Sequence, residues 1–269
     1  MLEDMTDRIR TLPPLPKSFH EITSICSNEN GTIEQLAKVI ETDPMLVANL
    51  LKVANSPLYS FRREIKSVLQ AVSLFGMSTT RALTTDITVK KLLNVDIEPY
   101  GLVPEDFVHI SAVQSSLMRE WYGKVDREKL GTLFLSALLQ ETGKILIADE
   151  IVKNDEVMQF KSEIESTVNI AQVEQMYVGT TTAAVTSKIF EHWGFDETMV
   201  EAIHYADNYE DAPDEIKDYS FALKIVKTAA PMNSPLSDRS VTIAINLIEK
   251  EGYDSAVFAN AVEKIIENA

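Results

Sequence analysis

The strongest constraint on the fold is a succession of helix-start signals, each followed by apolar residues at helical spacing. In the segment 32 TIEQLAKVIETD 43, Thr32 and Gln35 have the spacing of a capping box, and the apolar residues that follow share one helix face. Asp43 and Pro44 then open a new helix, because aspartate is a preferred N-cap and proline is preferred at the first helical position. This part of the chain is therefore predicted to contain short helices joined by tight connectors.

The same kind of pattern continues along the rest of the chain. Ser67 and Gln70 form a second candidate capping box, and Gly76 lies where glycine commonly ends a helix. Alternating apolar and polar residues bounded by turns are nearly absent, so strands are not expected. The predicted fold class is all-α and multi-helical. Apolar spacing places further helices at about 104–122, 130–151, 168–193, 196–207, 215–229, 238–250 and 255–267.

A cluster of prolines and acidic residues predicts a boundary between two helical lobes. It lies in the segment 94 NVDIEPYGLVPED 106 of a chain of 269 residues, which is long enough for one large domain or two small ones. We expect an N-terminal lobe at 1–97. The second lobe, at 98–269, is expected to carry extra C-terminal helices.

Charge and cysteine content restrict the possible partners and the compartment. The chain has 41 acidic and 25 basic residues, a formal net charge of −16, which argues against binding to nucleic acid or to an anionic membrane surface. A single cysteine, Cys26, forms neither an intrachain disulfide nor a zinc site. The N-terminus does not resemble a signal peptide, and no apolar run reaches the length of a membrane span. We expect a soluble cytoplasmic protein with no membrane insertion.

One apolar segment carries a carboxylate where a buried helix is expected. In 133 LFLSALLQETGKILI 147, Gln140 and Glu141 interrupt residues that are otherwise suited to a core. A buried charge without a partner costs several kcal/mol in order-of-magnitude terms. If the surroundings are dry and offer no partner, desolvation raises the pKa of Glu141 above its ordinary value.

Familiar catalytic and nucleotide-binding motifs do not account for this segment. Gly143-Lys144 lacks the upstream glycine and the following Ser or Thr of a phosphate-binding loop. None of the four histidines belongs to a paired metal-binding motif, so each is expected to be a surface or structural residue. These histidines are His20, His109, His192 and His204.

Several longer stretches of the chain form one pattern when they are taken in order. They are 12 LPPLP 16, 40 IETDPMLVANLLKVANSPLYS 60, 65 IKSVLQAVSLFGM 77, 107 FVHIS 111, 133 LFLSALLQETGKILI 147, 179 GTTTAAVTSKIFEHWGF 195 and 202 AIHYAD 207. Together they resemble the HDOD family, the HD-related output domain of bacterial signalling proteins. The resemblance covers roughly residues 10–210. It implies an all-helical fold whose C-terminal half is related to the HD metal-dependent phosphohydrolases.

The resemblance also explains the polar pair in the apolar segment. In the related hydrolases the corresponding helix carries an adjacent His-Asp pair that binds metal ions, and this chain has Gln140-Glu141 there. Other metal-binding places of the lineage fall at Ile110, Thr182, Ala206 and Asp207. Isoleucine and alanine cannot bind a metal, so the resemblance implies a vestigial site with no catalytic residues, no bound metal and no cofactor. A hard cation held between Glu141 and Asp207 is the alternative.

Five residues of the family signature have structural interpretations. Asp43 and Pro44 define a helix start, and Gly76 ends a helix. Asn55 and Ser56 are expected to satisfy backbone groups at a turn, because their side chains mimic turn hydrogen bonds. A partner-binding role for the Asn55-Ser56 stretch is the alternative.

The function implied by the resemblance is regulation without catalysis. We expect a bacterial signal-transduction protein that acts by protein–protein interaction on partners supplied in trans. Two alternatives stay open. The chain could be a divergent phosphohydrolase that uses Glu141, Asp207 and a histidine, or a sensor that binds a nucleotide messenger in the old active-site cleft.

Overall fold

The protein is all-helical in a computed structural model that describes residues 2–59, 61, 63–167 and 169–268, without the side chains of residues 2–4 and 268. No strand occurs within these ranges, which confirms the predicted fold class. Three short 3-10 turns lie at Pro57–Tyr59, Glu98–Tyr100 and Tyr209–Asp211. The α-helices in chain order are α1 (Leu2–Arg10), α2 (Lys17–Ser27), α3 (Ile33–Ile40), α4 (Pro44–Ala54), α5 (Val68–Leu93), α6 (Pro104–Tyr122), α7 (Leu130–Leu139), α8 (Gly143–Lys153), α9 (Val157–Ser166), α10 (Ile170–Val178), α11 (Thr182–His192), α12 (Glu197–His204), α13 (Asp214–Ala229), α14 (Asp238–Lys250) and α15 (Ser255–Asn268).

The helices divide into two compact units. The smaller unit is Pro13–Asn94, with the last residues of the chain from Glu267 onward. The larger unit is Val95–Ile266 together with the N-terminal residues up to Leu12. The division after Asn94 lies three residues before the boundary expected after residue 97, and helix α1 packs with the larger unit through α11.

Long amphipathic patterns predicted the helices well, and tight internal turns were missed. Helices α6 and α14 have the predicted bounds. The helix predicted at 130–151 is two helices, α7 and α8, and the one predicted at 168–193 is also two. Gly179, with φ of 69°, separates α10 from α11, because a left-handed residue ends a helix. Helices α1, α2 and α9 were not predicted.

Two of the predicted helix starts in the smaller unit have the expected hydrogen bonds. Thr32 and Gln35 form both bonds of a capping box at α3. At α4 the Asp43 carboxylate accepts hydrogen bonds from the backbone N–H groups of Met45 (3.0 Å) and Leu46 (3.1 Å). These bonds satisfy donors that a helix leaves without an intrahelical partner.

Replacing Asp43 by alanine is expected to lower the free energy of unfolding by about 1 kcal/mol, the usual cost of losing an N-cap. Urea denaturation followed by far-UV circular dichroism measures the change. Asp43→Asn is the matched control, since asparagine caps as well as aspartate. An equal loss in both variants would contradict the capping explanation, because the effect would then come from the carboxylate charge of Asp43, which lies 3.7 Å from Lys91 Nζ.

The family-signature asparagine closes the loop that follows α4. The Asn55 amide donates to the backbone carbonyl of Ile65 (2.9 Å), and its side-chain oxygen accepts from the Ile65 N–H (2.8 Å). The backbone of Ser56 continues the turn, with its carbonyl accepting from the Tyr59 N–H at 3.2 Å. Gly76 interrupts α5 with φ of 77° and ψ of 167°, a conformation that is essentially restricted to glycine. These residues therefore shape the backbone of the smaller unit.

The apolar core of the larger unit surrounds α7 and α8. The stretch Leu130–Lys153 is long and apolar enough to cross a membrane by length and composition alone, but 78% of its most apolar window is buried inside the fold. Helix α7 packs against α6, and α8 packs against α11. The ring of Phe160 holds Tyr100 edge-on, with centroids 5.1 Å apart, which fixes the Tyr100 hydroxyl beside α8.

Candidate functional site

The polar pair Gln140-Glu141 lies at a tight break between α7 and α8 and not in the middle of one helix. The Thr186 hydroxyl on α11 bridges the break, because it donates to the Gln140 carbonyl (3.0 Å) and accepts from the Gly143 N–H (2.8 Å). A Cβ at Gly143 would lie 2.6 Å from the Thr182 carbonyl oxygen. Glycine is therefore required here by the close approach of α11, and the break turns Glu141 inward.

A buried ammonium group is the partner of Glu141. The Lys144 side chain is 1% exposed, and its Nζ lies 3.2 Å from Oε2 of Glu141 and 2.7 Å from Oε1 of Glu174. Lys144 Nζ also donates to the Thr182 hydroxyl at 3.0 Å. The ammonium thus donates hydrogen bonds to Glu174 and Thr182 and forms an ion pair with Glu141, so that one cation joins two carboxylates from α10 and the α7–α8 break.

Glu174 is the most heavily hydrogen-bonded carboxylate of this site, and sequence analysis missed it. It accepts from the Thr182 N–H (2.6 Å), the Thr182 hydroxyl (2.6 Å) and the Tyr100 hydroxyl (3.0 Å), in addition to Lys144. The Lys144 ammonium lies 4.9 Å from the centroid of the Tyr100 ring, within the range of a cation–π contact. Glu174 therefore ties together α8, the start of α11 and the turn that holds Tyr100.

Gln114 on α6 completes the other side of the site. Its amide nitrogen donates to Glu141 Oε1 (3.1 Å) and to the Ala230 carbonyl (2.9 Å). Its amide oxygen accepts from the Gln140 side chain at 2.8 Å. Gln140 and Glu141 are both fully buried, and these bonds satisfy the Gln140 amide nitrogen and one carboxylate oxygen of Glu141, whereas the Gln140 amide oxygen accepts no hydrogen bond from the residues that the structure describes.

Asp207 brings two more lysines to the same site. Its carboxylate accepts from Lys227 Nζ at 2.8 Å, and its carbonyl accepts from Lys224 Nζ at 3.3 Å. Glu141, Lys144 and Asp207 line, with both of these lysines, a small cavity of about 60 Å³. The carboxylates of Glu141, Glu174 and Asp207 are thus matched in number by the ammonium groups of Lys144, Lys224 and Lys227.

The charges of these lysines reverse the expected pKa shift of Glu141. Burial alone would raise the pKa of this carboxyl, but the charges of Lys144 and Lys227 and the Gln114 hydrogen bond hold it below the ordinary value. The pKa of Asp207 is lowered in the same way, since Lys227 outweighs the burial. The expectation of a raised Glu141 pKa was wrong, because it assumed that no cation was near.

The positions expected from the lost metal site differ in their surroundings. Ile110 and Ala206 are buried apolar residues that offer no ligand atom. His109, beside Ile110, is exposed on the surface of α6, and so are the other three histidines. Across the part of the chain that the structure describes, no three His, Cys, Asp or Glu side chains are grouped so that they could hold a metal ion. Gln140, Glu141, Thr182 and Asp207 do lie around the site.

Five further charged or amide residues of the site were missing from the prediction. They are Gln114, Lys144, Glu174, Lys224 and Lys227. Gln114 lies one helical turn after Ile110 and so shares its inward face, which was a usable signal. A lysine within an apolar helix was the signal for Lys144, although its partner Glu174 lies 30 positions later in the chain.

The comparisons with known proteins place this arrangement in a family. The family model described as HDOD domain matches residues 12–209. A curated protein of Treponema pallidum (strain Nichols), described as uncharacterized, is 21% identical over 79% of this chain. The chain spans 41% of the length of that relative.

Solved structures of similar fold match almost the whole chain. A protein from Marinobacter aquaeolei VT8, provisionally named a signal transduction protein, is 19% identical with a TM-score of 0.73, over 99% of this chain and 62% of its own. A protein from Shewanella amazonensis SB2B, provisionally named a phosphohydrolase, is 20% identical with a TM-score of 0.71, and the match covers 98% of this chain and 93% of the Shewanella chain. An HDOD domain protein of unknown function from Geobacter sulfurreducens is 17% identical with a TM-score of 0.67, and the match covers 100% of this chain and 97% of the Geobacter chain. These TM-scores show a shared fold, and the match of the family model over residues 12–209 shows that the chain belongs to the HDOD domain family.

Proposed function

We propose that this chain is a non-catalytic regulatory protein of bacterial signal transduction that acts in the cytoplasm through contact with another protein. Membership of the HDOD family and the structural likeness to a protein provisionally named for signal transduction support the regulatory role. The vestigial chemistry of the buried site supports the absence of catalysis. The partner is a signalling protein supplied in trans.

The observation that carries the proposal is the position of the Lys144 ammonium. It lies between Glu141 and Glu174, 3.2 and 2.7 Å from their carboxylate oxygens, and it neutralises the negative charge that would attract a metal ion. A divalent cation at the same place would be repelled by the ammonium group at close range. The donor set therefore does not fit the metal centre of the HD phosphohydrolases, which needs imidazole and carboxylate ligands.

A divergent phosphohydrolase is the second candidate, and it is favoured by the names of similar structures such as the one from Shewanella amazonensis. This alternative needs a histidine at the site, or carboxylates that are not already paired with a cation. The four histidines are exposed, and Glu141, Glu174 and Asp207 each have a lysine partner. The geometry therefore favours the regulatory function.

We expect protein purified without chelator to contain much less than one transition-metal ion per chain by elemental analysis. Hydrolysis of a chromogenic phosphodiester and of nucleoside phosphates is expected to stay at background after addition of Mn²⁺ or Zn²⁺. Glu141→Gln is the matched variant, since it keeps the side-chain shape and removes the charge. One ion per chain, with turnover that Glu141→Gln abolishes, would establish the enzyme instead.

Cross-linking in the native cell, followed by mass spectrometry, identifies the partner.

A further inference from the structure

A second and larger cleft opens beside the buried site. It has a volume of about 330 Å³ and lies between the end of α9, the start of α10, α13 and the start of α14. Lys224, Asn169, Thr228 and Pro231 line both this cleft and the small cavity at Asp207. The volume falls at the lower end of the range for small-molecule sites, whereas the inner cavity has room only for a few water molecules.

Two cations without a carboxylate partner line this cleft. Within the described residues, no carboxylate oxygen lies within 4.0 Å of the side-chain nitrogens of Lys224 or Arg239. Lys224 donates to the Asp207 carbonyl at 3.3 Å, which leaves other ammonium protons available. Arg239 lies exposed in the first turn of α14. The cleft is also lined by one carboxylate, that of exposed Glu165, so its two cations outnumber its acidic side chains in a chain with a net charge of −16.

The walls of the cleft are fixed by their own hydrogen bonds. The Asn233 amide donates to the carbonyls of Ile164 (2.8 Å) and Thr167 (3.1 Å), which joins the loop before α14 to the end of α9. The Ser240 hydroxyl donates to the Ala229 carbonyl at 2.9 Å and joins α14 to α13. The cleft is therefore preformed, which lowers the ordering cost of binding a ligand.

We propose that this cleft binds a phosphomonoester of nucleoside size, anchored through its phosphate by Lys224 and Arg239. A phosphate monoester carries close to two negative charges at neutral pH, which matches one ammonium and one guanidinium group. The Thr228 hydroxyl adds a neutral donor at the same wall. Half-buried Pro231, Ile243 and Leu247 give the cleft an apolar surface for the organic part of the ligand.

Burial and the charge of nearby Lys227 lower the pKa of Lys224, and the charges of Asp207 and Glu210 only partly oppose them. A bound phosphate would favour the charged form and raise the pKa again. Most of the lining, from Lys224 to Leu247, also lies beyond residue 209, where the match to the family model ends. The proposed ligand site therefore adjoins the vestigial metal site, with which it shares four lining residues, and it goes beyond the proposed regulatory function.

Isothermal titration of the full chain tests the proposal with four probes: adenosine monophosphate, guanosine monophosphate, adenosine and inorganic phosphate. At least one monophosphate is expected to bind saturably, with adenosine and inorganic phosphate each at least about tenfold weaker. Arg239→Ala and Lys224→Gln are each expected to lower the affinity for the monophosphate by about tenfold, the scale of one lost charge-assisted hydrogen bond. Arg127→Ala is the matched control, because Arg127 is an exposed arginine outside the cleft.

Four outcomes would overturn the assignment. They are no saturable binding of either monophosphate, equal affinity for adenosine, equal affinity for inorganic phosphate, or the same loss of affinity in Arg127→Ala as in Arg239→Ala. Circular dichroism of each variant separates a lost contact from a lost fold. Arg239 is exposed, so Arg239→Ala remains informative even if Lys224→Gln disturbs the packing around Asp207. None of these results depends on whether the chain hydrolyses phosphate esters, so the test is independent of the proposed function.

Discussion

Replacing Lys144 by methionine is expected to lower the free energy of unfolding by about 3–5 kcal/mol, the cost of breaking a buried ion pair by removing one partner. Methionine preserves most of the volume and flexibility of lysine, so the loss reports the charge and not a cavity. Without the ammonium, the carboxylates of Glu141 and Glu174 remain 2% and 0% exposed inside the fold. Two buried negative charges would then face each other with no cation between them. Urea denaturation followed by circular dichroism measures the change.

Two controls make this result specific to the buried network. Lys153→Met changes a lysine that is 53% exposed on the same helix, and it is expected to alter stability by less than about 0.5 kcal/mol. The triple variant Lys144→Met, Glu141→Gln, Glu174→Gln removes both carboxylate charges together with the ammonium. It should recover most of the lost stability, since neutral replacement of a whole buried ion pair is often tolerated. A loss in Lys144→Met no larger than that of Lys153→Met would show that Lys144 does not hold these carboxylates.

The helices were predictable from the sequence because their signals are local. A capping residue such as Thr32 and the apolar residues of the next turns lie within one short window, and the hydrogen bonds that follow are between near neighbours. The break between α7 and α8 was not predictable in this way. It depends on the Thr186 hydroxyl, which bonds to Gln140 from 46 positions later in the chain. A periodic apolar pattern that runs through a break cannot reveal a bridge from a distant helix.

The site was predictable from two signals. The polar interruption of an apolar segment singled out Gln140 and Glu141, the family resemblance added Thr182 and Asp207, and the structure brings all four around one buried site. The resemblance did not predict the Lys144 ammonium. It gives the positions at which the related hydrolases bind a metal ion, but it does not say which group takes the place of that metal ion in this chain. A lysine and an acidic residue that are close in sequence most often form a solvated ion pair on the surface. The spacing of three residues between Glu141 and Lys144 therefore did not by itself predict a buried ion pair.

Replacing Glu141 by glutamine is expected to lower the free energy of unfolding at pH 7.5 by about 2 kcal/mol, the scale of a hydrogen bond to a charged group. The carboxylate has Lys144 at 3.2 Å and Gln114 at 3.1 Å, whereas a lone carboxylate would have made the substitution neutral or stabilising. Glutamine keeps a neutral oxygen for Gln114 but loses the attraction to the ammonium. The effect is smaller than that of Lys144→Met, since Lys144 still pairs with Glu174.

The pH dependence of the Glu141→Gln effect has a defined sign. Because the folded-state pKa of Glu141 lies below the ordinary value of 4.5, the folded state binds fewer protons than the unfolded state as the pH falls toward that value. The carboxylate therefore contributes its full stability above pH 4.5 and loses it as the pH falls through the folded pKa. Thermal melts between pH 7.5 and pH 3.5 should show the wild-type advantage constant near neutrality and shrinking in acid. Glu263→Gln, at an exposed position on α15, should show no such advantage. A Glu141→Gln variant as stable as the wild type at pH 7.5 would mean that the lysines do not stabilise this carboxylate, and the account of Lys144 as the replacement for a metal would fail with it.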